Sequence, residues 1–287
     1  MHKQFPQFPR TEVAGVSLPR MLIGSNWMLG FSHTSASADA QIRERFSKKE
    51  DFLPMFEEYM KHGIDAVMAP FSPSNILTDA VKYAEDKLGK KITIISTPVI
   101  NVDDNTNARA EAEATIKANA ELGATFCLIQ HSSAEQLVNR NTKTIDRISD
   151  YTKMIRDAGM IPGITAHMPE IIMYSDQNEY DIETYTQIYN PLGFLMQVEI
   201  EFISKIINNA KKPVMTVKAM AAGRITPYVG FNFVWNTIRE RDMITVGATS
   251  VHEVAECVEI SHAALERRYP DIDGRSSPDT KQDAFGK

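Results

Sequence analysis

The chain has 287 residues, 43% of them hydrophobic, and a formal net charge of −6. That length suits one large core, and the mild acidity provides no broad basic field for nucleic acid or an anionic membrane. No apolar run approaches the roughly 18 residues of a membrane span, residues 1–10 lack the apolar centre of a signal peptide, and a cytoplasmic location is expected.

In chain order, residues 12–18 read first as a small hairpin turning at Gly15. Short apolar, β-branched runs then recur at 21–24, 64–69, 92–97, 125–130, 160–165, 182–189, 213–218 and 244–247. Helix-like stretches separate them, among them 51–62, 74–88, 105–122, 144–158, 197–209 and 252–267. Gly63, Gly123 and Gly159 each stand between a helix and the next strand, where glycine closes a helix. Eight strand–helix units without a linker predict α/β architecture: a parallel sheet closed into a (β/α)8 TIM barrel, with the N-terminal hairpin placed to plug its bottom. The expected domain spans 1–287, with a polar tail over about 270–287. Cys127 and Cys257 sit in apolar segments far apart in sequence and read as two reduced, buried thiols.

A barrel carries its active site at the C-terminal ends of its strands. Lys218 ends the seventh run, where partial burial would depress its pKa and make it a Schiff-base nucleophile, a base or a fixed charge. The alternative is a structural lysine paired with Glu183. His131 and His167 end adjacent runs, about 5 Å apart in a sheet, and suit general acid–base work. With His33 they also offer three nitrogens to a zinc ion. Glu170 is the only carboxylate near them, so no metal is favoured. Asn26, Trp27, Gln130, Thr165, Glu170 and Arg224 are the candidate substrate contacts, with Trp27 for an apolar or sugar face and Arg224 for an anion. Gly247, Ala248, Thr249 and Ser250 open the last helix and form a generic seat for an anion or cofactor phosphate.

Several segments in this order resemble the aldo/keto reductases. They are Leu18-Pro19-Arg20-Met21-Leu22-Ile23-Gly24 after the hairpin, Cys127-Leu128-Ile129-Gln130-His131, and Gly163-Ile164-Thr165-Ala166-His167-Met168-Pro169-Glu170. Tyr189-Asn190-Pro191, Ala221-Ala222-Gly223-Arg224 and Val246-Gly247-Ala248-Thr249-Ser250 complete the set, the last two resembling that family's cofactor-side loops. The resemblance implies a barrel with an N-terminal hairpin, NAD(P)H as cofactor and a tetrad of aspartate, tyrosine, lysine and histidine. Only the histidine finds a match, at His131; the other positions fall at Met68, near Pro73, and at Thr97 or Pro98. The cofactor pocket departs too, with Thr165-Ala166 where the family places Ser-Asn and Lys218 where many members stack an aromatic ring.

The sequence therefore reads as a small-molecule enzyme on an aldo/keto reductase-like barrel with non-redox chemistry: a lyase, aldolase or isomerase acting on a small polar carbonyl or sugar-like compound. Lys218 would be nucleophile or anchor, and His131 with His167 would move protons. Two alternatives stand beside it, a divergent NAD(P)H-dependent oxidoreductase and a non-catalytic binding protein. The cofactor stays open, NAD(P)H or a divalent metal included, and the partner is a small molecule, with a homo-oligomer left open.

Overall fold

The computed structural model describes residues 6–272. The chain begins with an antiparallel hairpin, β1 (Arg10–Val13) and β2 (Val16–Pro19), and enters the barrel at β3 (Met21–Gly24). Helices α1 (Asn26–Leu29), α2 (Ala36–Arg45) and α3 (Leu53–Lys61) precede β4 (Ala66–Ala69). Next come α4 (Ile76–Leu88), β5 (Thr93–Ser96), α5 (Thr106–Glu121), β6 (Phe126–Ile129) and the short α6 (His131–Ala134). A small hairpin, β7 (Val138–Asn139) and β8 (Thr144–Ile145), leads to α7 (Ile148–Asp157) and β9 (Ile161–Ile164). The last units are α8 (Glu170–Asn178), β10 (Thr184–Ile188), α9 (Ile200–Asn209), β11 (Val214–Val217), α10 (Pro227–Thr237), β12 (Met243–Val246) and α11 (Val251–Glu266).

The eight barrel strands close in the order β10-β11-β12-β3-β4-β5-β6-β9, every pair parallel. Strands covered on both faces need apolar residues at every position, and β3, β4 and β6 are buried throughout. Alternate residues face inward: Leu22, Ala66, Met68, Ile95, Phe126 and Leu128 belong to one cluster that fills the barrel. Gly163 leaves room for that filling, because a Cβ there would stand 2.6 Å from Leu128 Cγ. Val13 and Leu18 of the hairpin join the same cluster, so β1 and β2 close the bottom of the barrel as expected. The remaining strand residues face the helices and build the outer layer of core.

An ionic network that the sequence did not announce pins the same end. Asp242, wholly buried, pairs with Arg239 at 2.7 Å and accepts from Val214 N at 2.9 Å. Arg20 Nε donates to the Asp242 carbonyl at 3.0 Å, linking the first barrel strand to the last.

Sequence expectations change at the edges of some helices. The helix expected at 144–158 starts only at Ile148, because Thr144–Ile145 pairs with Val138–Asn139 and Arg147 adopts a left-handed φ of 59°. The helix expected at 51–62 is split by a 3-10 turn at Lys49–Phe52 before α3, with Pro54 in the first turn of α3. The polar tail lies, beyond Ile272, outside the described residues. Cys127 and Cys257 are buried and unpaired, and burial pushes the Cys127 thiol up to about 12. Among the described residues no helix is long and apolar enough to cross a membrane.

Candidate active site

A cavity of about 500 Å³ opens at the C-terminal ends of the barrel strands. Its floor is formed by inward side chains of the last strand positions, including Met68, Thr165, Thr186, Val217 and Thr245. The loops after the strands supply the walls: Asn26, Trp27 and His33 after β3, Gln130 and His131 after β6, His167 after β9 and Lys218 after β11. The sequence-derived catalytic candidates His131, His167 and Lys218 therefore meet in one cavity.

Lys218 is held in the left-handed region at φ 63°, and Ala221 and Ala222 follow at φ 50° and 55°. Each such residue costs roughly 1–2 kcal/mol relative to a relaxed conformation. The strained turn aims Lys218 Nζ at His33 Nε2, 3.1 Å away. Among the described residues no carboxylate lies within 4.0 Å of Lys218. Glu183, the expected structural partner, pairs instead with Arg156 at 2.7 Å and Lys212 at 2.8 Å. Burial lowers the Lys218 pKa, because the ammonium gives up water without gaining an anion.

His131 and His167 stack with ring centroids 3.8 Å apart and planes tilted by 34°. His131 is the first residue of α6, whose cap is Gln130; the Gln130 side-chain oxygen accepts from Ser132 N at 2.7 Å. Glu135 accepts from the backbone nitrogens of His167 and Met168 at 2.5 and 2.9 Å and fixes that loop. Burial, then His131, Lys218 and His33, push His167 down to about 4. Burial first, and Lys218 as well, lowers His131 against the pull of Glu135. The cavity thus holds one lysine and neutral imidazoles at pH 7 and is lined by no carboxylate. The Thr165 and Thr245 hydroxyls are buried without a partner.

Asn26, Trp27, Gln130 and Thr165 line the cavity with the catalytic candidates. Glu170 and Arg224 do not: Glu170 pairs with Arg140 at 2.7 Å, and Arg224 ties the Ala221 and His33 carbonyls together, each at 3.1 Å. The Arg224 guanidinium also stacks on Phe194 at 3.9 Å, so one face and both terminal nitrogens are engaged. Gly247 lines the cavity, whereas Ala248, Thr249 and Ser250 do not. His33, His131 and His167 form no metal cluster; among the described residues no group of three potential ligands does. Two of the three rings face each other, where ligation needs their nitrogens to converge. The sequence places His33 near the mouth and as a metal candidate, but does not show its contact with Lys218, which depends on Arg224 holding the first loop across the barrel.

No family model matches the chain, and no curated protein does. Two solved structures from Pseudomonas aeruginosa, provisionally described as of an aldo-keto reductase, superpose with TM-scores of 0.66 and 0.64 at 13% and 14% identity. Those superpositions cover 92% and 90% of this chain and 99% and 94% of theirs. A glycerol dehydrogenase from Gluconobacter oxydans superposes at a TM-score of 0.58 and 11% identity, covering 93% of this chain and 98% of its own. The chain therefore has an aldo/keto reductase-like (β/α)8 fold, far diverged in sequence.

That fold implies a nicotinamide dinucleotide, and the residues present do not fit one. The Trp27 indole lies between the two loops that resemble the family's cofactor side: a Cβ at Gly247 would stand 3.0 Å from it, and one at Gly223 3.5 Å. The anion seat expected at the start of α11 is satisfied from within, since Glu253 accepts from Thr249 N at 2.7 Å and Ser250 Oγ accepts from Glu253 N at 3.1 Å. A carboxylate on that helix end repels the phosphate the seat would take.

Proposed function

We propose that this barrel is an enzyme that binds a small polar carbonyl compound through Lys218, as an imine, in a lyase or isomerase reaction without nicotinamide. The observation that carries the reading is Lys218 itself: a lysine in the cavity, freed from carboxylates and with its pKa lowered by burial. Desolvation raises the fraction of free amine, and a free amine adds to carbonyl carbon. Three features support it. The neutral His131 and His167 pair stands in the same cavity to give and take the protons that imine formation and C–C or C–H cleavage require. The unpartnered Thr165 and Thr245 hydroxyls offer hydrogen bonds to substrate oxygens. The left-handed residues at 218, 221 and 222 hold the lysine in a turn that costs conformational energy.

Incubation with glycolaldehyde, dihydroxyacetone and pyruvate, followed by borohydride reduction and peptide mass spectrometry, tests the reading. The expected result is a reduced adduct on the Lys218 peptide, absent in Lys218→Met. Failure of every carbonyl to mark Lys218, together with saturable micromolar quenching of Trp27 and Trp235 by NADPH, would return the barrel to the redox class.

A further inference from the structure

We propose that His33 is the proton acceptor that turns the Lys218 ammonium into the attacking amine, and that it returns the same proton to the departing oxygen. The inference rests on the imine reading above. Two groups point at one nitrogen: Lys218 Nζ lies 3.1 Å and Asn26 Nδ2 3.5 Å from His33 Nε2. An ammonium and an amide NH2 are donors only, so while Lys218 is charged Nε2 carries the lone pair and the neutral ring keeps its hydrogen on Nδ1. An unprotonated imidazole nitrogen held against an ammonium is placed to take its proton.

The placement is constructed. His33 sits at φ 58°, a conformation seldom taken by non-glycine residues. Arg224 Nη2 donates to the His33 carbonyl at 3.1 Å and straps that turn to the loop carrying Lys218. Asp39 fixes the preceding turn by accepting from Ser32 N at 2.8 Å. The charged and titratable groups facing the pair are His131 and His167 from the opposite loops, Arg224 beside Lys218, and Asp39 on α2. Burial first, then the neighbouring Lys218, Arg224 and His131, outweigh Asp39 and lower the His33 pKa, so at pH 7 the ring is neutral and free to accept. His33 is exposed at the rim and can also exchange its proton with solvent.

The step balances. Lys218 NH3⁺ passes one proton to Nε2, giving an amine and an imidazolium. The amine lone pair forms the N–C bond, the carbonyl π pair moves to oxygen, and a nitrogen proton shifts there, leaving a neutral carbinolamine. The imidazolium protonates the hydroxyl, the C–O bond breaks, water leaves, and the nitrogen lone pair completes the C=N bond as a protonated imine. No oxidant or reductant is consumed.

The test uses formaldehyde with cyanoborohydride, a carbonyl small enough to reach every lysine, and reads each lysine separately by peptide mass across pH 5 to 9. In the wild type Lys218 is expected to label faster than the surface lysines at pH 7, with an inflection on the acid side of about 6.5 from His33. His33→Asn, which tolerates the left-handed turn, is expected to slow Lys218 at least tenfold and to abolish that inflection while surface lysines keep their rates. His33→Gln serves as the second variant, and near-ultraviolet circular dichroism checks that both retain the fold. An unchanged Lys218 rate and profile in both variants would overturn the assignment of His33 and leave the imine reading standing. Wild-type Lys218 labelling no faster than a surface lysine would remove the imine reading and this inference together.

Discussion

His131 and His167 stack at 3.8 Å, and that contact is favourable only while at most one ring is charged. Burial and the neighbouring cations hold His167 at about 4, below the value near 6.5 that the ring has in the unfolded chain. Below pH 6.5 the unfolded state then binds more protons than the folded one, so stability falls as pH drops toward 4 and the slope from this residue ends there. His131 is shifted in the same direction and adds to the fall. Thermal melts from pH 7 to 4 are expected to show a declining Tm, and His167→Gln to flatten that decline. A decline of equal steepness in the variant would mean His167 is not the perturbed base. At this scale much of the site was legible. A strand end fixes which side chains face the mouth, so His131, His167 and Lys218 could be picked from position alone. Arg224 and Glu170 could not be sorted that way, because whether a loop residue turns inward depends on partners such as Phe194 and Arg140 that are distant in sequence.

At the scale of elements, α10 decides where Lys218 stands. Gly230 lies within it, and a Cβ there would meet the Ala219 carbonyl oxygen at 2.6 Å and Met220 Cα at 3.3 Å. The helix thus rests directly on the backbone of the strained turn. Alanine would gain about 1 kcal/mol of helix propensity, but a rigid carbonyl cannot yield as a side chain would, and overpacking costs about 1–3 kcal/mol. Gly230→Ala is expected to be less stable in urea and to slow Lys218 labelling by several-fold, because α10 must retreat and the turn with it. A variant of unchanged stability and reactivity would show that the turn is held by other contacts. This helix was absent from the sequence reading for a physical reason. It carries apolar residues around most of its surface, such as Val229, Phe231, Phe233 and Trp235, so one buried and one polar face do not stand out in it. The signal it did carry is Thr226 followed by Pro227, a cap and a first-turn proline, with Thr226 Oγ1 accepting from Val229 N. The start of α7 was misplaced for the opposite reason: residues 144–147 continue the polar pattern of the helix, while Thr144 and Ile145 pair with β7 and Arg147 turns left-handed.

For the whole molecule, the barrel places its sealed, ion-paired end and its cavity at opposite ends of the strands. The N-terminal end is sealed by Val13 and Leu18 and by the Arg239–Asp242 network, while the opposite end holds the cavity. Closure into a barrel was readable from eight apolar runs in regular alternation, because a chain of that pattern has few other ways to cover both faces of a parallel sheet. The division of labour makes a specific demand on Leu18, which is fully buried in the barrel cluster beside the bottom-layer residues Ala66, Phe126 and Met243. Truncation to alanine removes its contacts and leaves a cavity that the closed sheet cannot collapse to fill, at a cost of about 2–5 kcal/mol. Lys218 stands at the other end of β11 from this layer, and its environment is set by His33, His131 and α10. Leu18→Ala is therefore expected to lower the urea midpoint and Tm while leaving the wild-type rate and pH profile of Lys218 labelling under native conditions. Loss of Lys218 reactivity in a folded Leu18→Ala protein would show instead that the bottom plug sets the geometry of the mouth, and that the two ends of the barrel are mechanically coupled through the strands.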